Sequence, residues 1–265
     1  MYPANSQKFY LSRQISIPNP EGATVAAGSM PADDAGEVLK DMAGDSRSSV
    51  RMAVLDVASK FPSEGASLAI LSRLRDESPG VRSIANSLIA MIAQKSVVPE
   101  IFKSLEQNPD LAVKGALARQ VGMIGDATDI PRLRRLYQVT VDSGLRNDLS
   151  LAMARLGDNA SRQQLIQRLS APEVAVRLAA LNDTLYIGDR RMARYFRPVV
   201  EDRRDVIVIS FPHDPTVWAR ICDVAIATLA ALGLRLPFET VPTRRFTEAE
   251  IQQTLPIVTM LENLP

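Results

Sequence analysis

Few side chains in this chain could do chemistry. Its 265 residues hold one histidine and one cysteine. His213 sits in the turn Pro212-His-Asp-Pro215, and Cys222 follows nine residues later at a small, core-type helix position. A Cys–His or Ser–His–Asp nucleophile needs its members within hydrogen-bond reach. Here they fall on different elements, so the plain reading is a turn residue and a core residue. A single cysteine excludes an intramolecular disulfide and a Cys-cluster zinc site. No glycine-rich strand–helix unit or P-loop occurs, and Gly122-Met-Ile-Gly125 lies at a helix end, where glycine serves as a C-cap. No catalytic residue, metal ligand or cofactor is expected.

The stronger signal is a pattern that recurs. Asp45-Ser-Arg-Ser-Ser-Val50-Arg51 is followed by Asp76-Glu-Ser-Pro-Gly-Val81-Arg82 and Asn108-Pro-Asp-Leu-Ala-Val113-Lys114. Weaker copies end in Leu145-Arg146 and Val176-Arg177, and the last reads Asp214-Pro-Thr-Val-Trp-Ala219-Arg220. The apolar anchors are 31, 32, 32, 31 and 43 residues apart. A period of roughly 20–50 residues marks a stacked array. A carboxylate or amide placed before a helix can cap it, satisfying free N–H groups at the positive end of the dipole. The arginine after the anchor can reach the carboxylate of an adjacent copy. Asp45, Arg51, Asp76, Arg82, Asp214 and Arg220 are therefore expected to form a structural ladder. Catalysis needs one converging site, and the recurring motif is dispersed over six copies.

Two helices per copy must position the ladder. The first is short, as in Ala66-Ser-Leu-Ala-Ile-Leu-Ser-Arg-Leu, and a turn of Asp, Ser, Pro or Gly follows. The second starts near the anchor, with apolar residues at helical spacing such as Val81, Ile84, Ala85 and Leu88. One pair cannot bury its own apolar face, so stacked neighbours bury it together. The pattern resembles the HEAT repeat superfamily, in the short bacterial form also seen in phycobilin lyase subunits. The resemblance rests on Asp45/Val50/Arg51, Asp76/Val81/Arg82, Asn108/Val113/Lys114 and Asp214/Ala219/Arg220, and covers residues 34–233. It implies an all-α fold, a right-handed α-α superhelix of about six helical pairs. The HEAT-like deoxyhypusine hydroxylases bind iron through His-Glu pairs, which this chain lacks.

Outside the repeats, residues 1–33 carry Pro3, Pro18, Pro20 and Pro31 and a Gly/Ala run, which predicts an extended or disordered arm. Within it, Phe9–Ile17 is apolar and β-prone. The sixth copy holds an insertion with the β-branched run Asp205-Val-Ile-Val-Ile-Ser-Phe211, a small β element near the C-terminus. Its edge is expected to pair with 234–241 or with 9–17. Residues 234–265 form a capping segment, with a capping-box start at Thr247-Glu-Ala-Glu250.

Net charge is +1 and aromatics make up 5%, which argues against the duplex binding of HEAT-like DNA glycosylases and against anionic membranes. Arg132/Arg134/Arg135, Arg190/Arg191/Arg194/Arg197, Arg203/Arg204 and Arg244/Arg245 cluster, but near enough to Asp and Glu to be paired. Trp218 is expected to pack under the insertion. No stretch reaches the roughly 18 apolar residues of a membrane helix, and residues 1–30 lack a signal-peptide pattern, so a cytoplasmic location is expected. The functional expectation is a non-enzymatic protein-binding or scaffold module, its partner another protein. Its concave surface is expected along the second helices, at Asp56, Asn86, Arg119, Asp148, Asn182 and Asp183. The alternative, implied by the resemblance alone, is a phycobilin-lyase-like or other HEAT-like enzyme or chaperone.

Overall fold

A computed structural model describes residues 4–17, 19–208, 217–241 and 244–262. The fold is an α-solenoid of helical pairs, with one two-stranded sheet among the described residues. The chain divides into two compact units, Met1–Ala152 and Met153–Pro265. The break falls inside the span 34–233 expected as one solenoid.

In the first unit the helices are α1 (Ala4–Ser16), α2 (Pro20–Gly28), α3 (Ala32–Met42), α4 (Ser48–Lys60), α5 (Glu64–Arg73), α6 (Pro79–Ser87), α7 (Val98–Gln107), α8 (Leu111–Ile124) and α9 (Ile130–Val139), with α10 (Ser143–Leu156) begun. First helices stack on first helices and second on second: α3 packs on α5 and α5 on α7, while α4 packs on α6. The stacking extends to the N-terminal segment, where α1 packs on α3 and α2 on α4. Residues 4–28 thus form a further helical pair, not an extended arm. Leu11, Ile15, Ala23, Ala26 and Ala27 are buried in it. The prolines that suggested an arm act as punctuation, with Pro20 at the first position of α2 and Asn19 capping it through Gly22 N–H at 3.0 Å.

Helix α3 meets α5 backbone to backbone. A Cβ placed on Gly65 would lie 2.0 Å from the Gly36 carbonyl oxygen. Ser63 caps α5 through the Ala66 N–H at 3.2 Å, directly beside that contact.

In the second unit, α11 (Asn159–Leu169) packs on α12 (Val174–Ile187), and α12 on α14 (Ile221–Ala231). The short α13 (Arg197–Val200) follows a 3-10 turn at Arg190–Tyr195, and α15 (Glu248–Glu262) packs against both. Their core includes Leu165, Leu181, Phe196, Val200, Ile226 and Phe246. Strand β1 (Asp205–Val208) pairs antiparallel with β2 (Val217–Arg220), Asp205 opposite Arg220. The expected partners 234–241 and 9–17 are not used. The segment just before α14 takes the role, because a hairpin closes over a short stretch of chain whereas the other two are remote in sequence. The backbone of Trp218 lies in β2; its side chain falls outside the described ones.

Candidate protein-interaction surface

The turn between the helices is built by one device in three successive pairs, α3–α4, α5–α6 and α7–α8. The Asp45 carboxylate accepts the Arg47 N–H at 2.8 Å, Asp76 the Ser78 N–H at 2.9 Å, and Asn108 the Asp110 N–H at 2.9 Å. These are side-chain turns over two residues, so the repeated Asp or Asn shapes the turn and does not cap the helix. The cap position falls two residues later, at Arg47, Ser78 and Asp110.

The arginine after the anchor closes the same turn. Arg51 donates from Nη1 to the carbonyls of Asp45 and Ser46 at 2.8 and 2.9 Å, and Arg82 donates to those of Asp76 and Glu77 at 2.6 and 3.1 Å. Arg51 also crosses to the next copy. It holds Asp76 in a fork, Nε to Oδ2 and Nη2 to Oδ1, each 2.8 Å, and both side chains are buried. Burial pushes the Asp76 carboxyl up, but Arg51 and the Ser78 N–H outweigh it, leaving it below its ordinary range. Arg82 makes no such crossing, since Asn108 stands where a carboxylate would have to be. Arg177 does, donating to the Ala171 carbonyl at 2.5 Å and to Asp202 Oδ2 at 3.0 Å.

That contact relocates the sixth copy. Asp202 accepts the Arg204 N–H at 3.1 Å, the same turn as at Asp76. The Ile221 N–H then bonds the Arg204 carbonyl at 3.0 Å, as the Val50 N–H bonds that of Arg47 at 3.1 Å. The β1–β2 hairpin is therefore inserted inside the motif, between Arg204 and Ile221. Asp214, expected as the ladder residue here, lies outside the described residues, as does His213. Arg220 forks onto Asp223 in its own turn, at 3.0 and 2.9 Å, and also donates from Nη2 to the Phe246 carbonyl at 2.5 Å, so it ties the sixth copy to the C-terminal segment and not to a further carboxylate.

A cleft of about 830 Å³ opens on the first unit along α5, between α3 and α7. Leu68, Leu71 and Val97 form its floor; Lys40, Asp41, Glu64, Arg73, Arg75, Glu100 and Lys103 form its walls. Ser96 Oγ donates to Glu64 at 2.7 Å across it, and Lys103 lies 3.5 Å from Glu100. No histidine or cysteine lines it. An apolar floor between walls of both signs can hold a polypeptide segment, with side chains below and charges at the rim.

The six residues expected on the second helices do not line this cleft. Asp56 on α4 pairs with Lys60 one turn on, at 2.8 Å. Asn86 on α6 is half-buried. Arg119 on α8 bonds Asp148 on α10 at 2.6 Å, and Asp148 leans over Gly115, so these two clamp neighbouring helices. Asn182 and Asp183 belong to the second unit. Asn182 is exposed, whereas Asp183 is buried against Arg168 at 2.8 Å and offers no surface. The sequence put the binding face on the second helices because their pattern is clearer. Lys40, Arg75 and Lys103 carried no repeat signal to find them by.

The basic clusters are largely paired: Arg132 with Glu106 at 2.8 Å, Arg197 with Glu201 at 3.0 Å, Arg203 with Glu248 at 2.6 Å, Arg244 with Glu250 and Arg245 with Asp205. Cys222 is fully buried; burial, then the Asp223 charge, pushes its thiol up, the reverse of an activated nucleophile. Among the described residues no helix is long and apolar enough to cross a membrane.

Residues 67–154 match the family model described as HEAT repeats. That stretch is one of HEAT-like repeats. The matched span holds the copies around Asp76, Asn108 and Leu145. No curated protein matches the chain by sequence. Among solved structures it is similar to the complex of CpcE and CpcF of phycocyanin lyase from Nostoc sp. PCC7120, at 16% identity, over 76% of this chain and 82% of that one, with a TM-score of 0.45. The expectation of a non-enzymatic chain is withdrawn, since this match is to a lyase complex. At this level of likeness it assigns no activity here. HEAT repeats in general mediate protein interactions, and the coarse function is that of a HEAT-like interaction scaffold.

Proposed function

We propose that the first unit binds another protein through the α3–α5–α7 cleft, gripping an extended or helical segment of it. The observation that carries this is the lining itself: an apolar floor of Leu68, Leu71 and Val97 beside both cations and carboxylates. A phosphate backbone would ask for one sign of charge throughout. Solenoids provide long recognition surfaces because each stacked helix adds a rung.

The test is a triple charge reversal, Lys40→Glu, Arg75→Glu and Lys103→Glu, at three exposed positions. Surface changes of this kind cost within about 0.5 kcal/mol each, so the variant is expected to fold, checked by circular dichroism. Tagged wild type and variant are used to capture proteins from the cells that make the chain. A protein enriched by wild type and lost with the variant supports the cleft. A folded variant that captures the same protein equally well rejects it.

A further inference from the structure

The charges of the α5 cleft have an order along its helices. Helices α5 and α7 lie side by side and point the same way. Ser96, just before α7, donates from Oγ to Glu64 at the start of α5, at 2.7 Å. Asn108, just after α7, donates from Nδ2 to the Leu74 carbonyl at the end of α5, at 3.5 Å. Helix α3 ends on the same side, where Gly44 and Asp45 share a hollow of about 320 Å³ with Arg73, Arg75 and Asp76. One end of the cleft therefore carries Glu64 and Glu100, each in the first turn of its helix. The other carries Lys40, in the last turn of α3, with Arg73 and Arg75. Leu68 and Leu71 lie between the two ends on α5.

Several of these charges are already balanced. Arg73 is held by Asp76 at 3.1 Å, Lys103 lies 3.5 Å from Glu100, and Asp41 follows Lys40 in the chain. Glu64 and Arg75 are not. Glu64 is exposed and accepts the Ser96 hydroxyl, but among the described residues it meets no cation. Arg75 is exposed and makes no hydrogen bond or ion pair among the described residues. Eleven residues separate them, roughly 16 Å along α5 at 1.5 Å per residue. That is about five steps of extended chain. An unbalanced anion at one end and an unbalanced cation at the other, with leucines between, complement a segment charged in the opposite order.

We propose that the α5 cleft selects a partner segment of mixed charge. A lysine or arginine of the segment lies at the Glu64 end, its apolar side chains lie on Leu68 and Leu71, and a glutamate or aspartate lies at the Arg75 end. The proposal rests on the reading of this cleft as the protein-binding site and names the chemistry that the site takes. A segment with one sign of charge throughout meets repulsion at one end, which is how charged rims reject wrong partners.

The experiment uses the full chain at low salt, where screening is least, and three capped, dye-labelled peptides. The first is Lys-Ser-Leu-Ser-Leu-Ser-Glu, whose alternation puts both charges on the face of the leucines. The second has glutamate at both ends and the third has lysine at both ends. Fluorescence anisotropy should show the mixed peptide binding wild type at least about fivefold more tightly than either other, since each rival exchanges one attraction for a repulsion. Arg75→Glu should turn the preference to the lysine-ended peptide, and Glu64→Lys to the glutamate-ended one. The double variant should return it to the mixed peptide, which then lies the other way round. Circular dichroism checks that each variant folds. Arg197→Gln, in the second unit and bonded to Glu201, should leave the preference unchanged. Equal binding of the three peptides to wild type, no binding of any, or a folded double variant that does not favour the mixed peptide would each overturn the charge order. The cleft itself is judged separately by the partner-capture test: a cellular partner lost in the Lys40/Arg75/Lys103 triple, with the three peptides bound alike, means that the cleft binds protein without reading charge order.

Discussion

Gly65→Ala is the substitution whose effect the structure defines most sharply. The new Cβ would lie 2.0 Å from the Gly36 carbonyl oxygen, 2.2 Å from its carbon and 2.7 Å from its Cα. Ordinary contact begins near 3.4 Å. All three atoms are backbone, so no rotamer change relieves the overlap, and α5 must back away from α3 by roughly 1 Å. A gap of that size forfeits about a quarter to a half of the dispersion energy across the affected contacts. Overpacking of this kind costs about 1–3 kcal/mol and sometimes more, and the backbone character of the clash places Gly65 at the upper end. Alanine returns up to about 1 kcal/mol of helix propensity. The expected net loss is about 2 kcal/mol. Gly36→Ala makes an instructive comparison. Its Cβ would meet Ser63 Oγ, which can turn aside at the expense of its cap on Ala66, about 1 kcal/mol, and would sit only slightly tight against Ser63 Cβ at 3.2 Å and the Gly65 backbone nitrogen at 3.3 Å, so its net loss should be smaller than that of Gly65→Ala. Gly80→Ala meets nothing closer than Ser78 Oγ at 4.0 Å and should be neutral or stabilising by up to about 1 kcal/mol. Far-UV circular dichroism during thermal unfolding gives the order. Gly65→Ala should lower the first unit's transition by about 4–8 °C for a unit of this size, with Gly36→Ala lowered less and Gly80→Ala near wild type. A Gly65→Ala protein no less stable than Gly36→Ala would refute the close approach of α3 and α5.

Further expectations follow from the turns and the ion pairs. Asp76→Ala strips the buried Arg51 of its partner and should cost about 3–5 kcal/mol, whereas Arg82→Ala removes bonds to two carbonyls and should cost about 1–2 kcal/mol; urea midpoints that reverse this order would refute the ladder at 51–76. Arg203 holds the Glu248 carboxyl down at about 2 from its ordinary 4.5, and Arg244 does the same for Glu250, also to about 2. Groups whose folded pKa is depressed stabilise the fold above their unfolded pKa and lose that effect as pH falls. The second unit should therefore weaken between pH of about 4.5 and about 2, and Arg203→Ala with Arg244→Ala should flatten that stretch of the pH–stability curve. If the double variant keeps the wild-type slope in equilibrium unfolding, these pairs do not anchor α15.

The helical pairs from α3 to α12 were legible because an apolar periodicity of 3.6 and the Asp–Val–Arg turn recur together, and each reports a local constraint. What escaped depended on distant contacts. Residues 4–28 have the helical periodicity of Leu11 and Ile15 but no repeat motif, so their prolines spoke louder than their burial. The sixth copy was misplaced because a hairpin splits its motif. The 25-residue interval from Arg177 to Asp202, identical to that from Arg51 to Asp76, was the signal that would have found it. The α5 cleft was invisible, since its cations lie on first helices whose exposed faces obey no pattern. Asp183 looked like surface by helical spacing, yet Arg168 from α11 folds over it.

The most direct measurement of the central claim is site-specific photo-crosslinking. A photoreactive amino acid is placed singly at Arg75 and Gln107 in the α5 cleft, and at Asp56 and Asn182 on second helices, and each protein is irradiated in an extract of the cells that make it. The expected result is an adduct of one common mass at Arg75 and Gln107, identified as the same protein by peptide sequencing, and none at Asp56 or Asn182. Adducts at Asp56 and Asn182 with none in the cleft would contradict recognition through α3, α5 and α7.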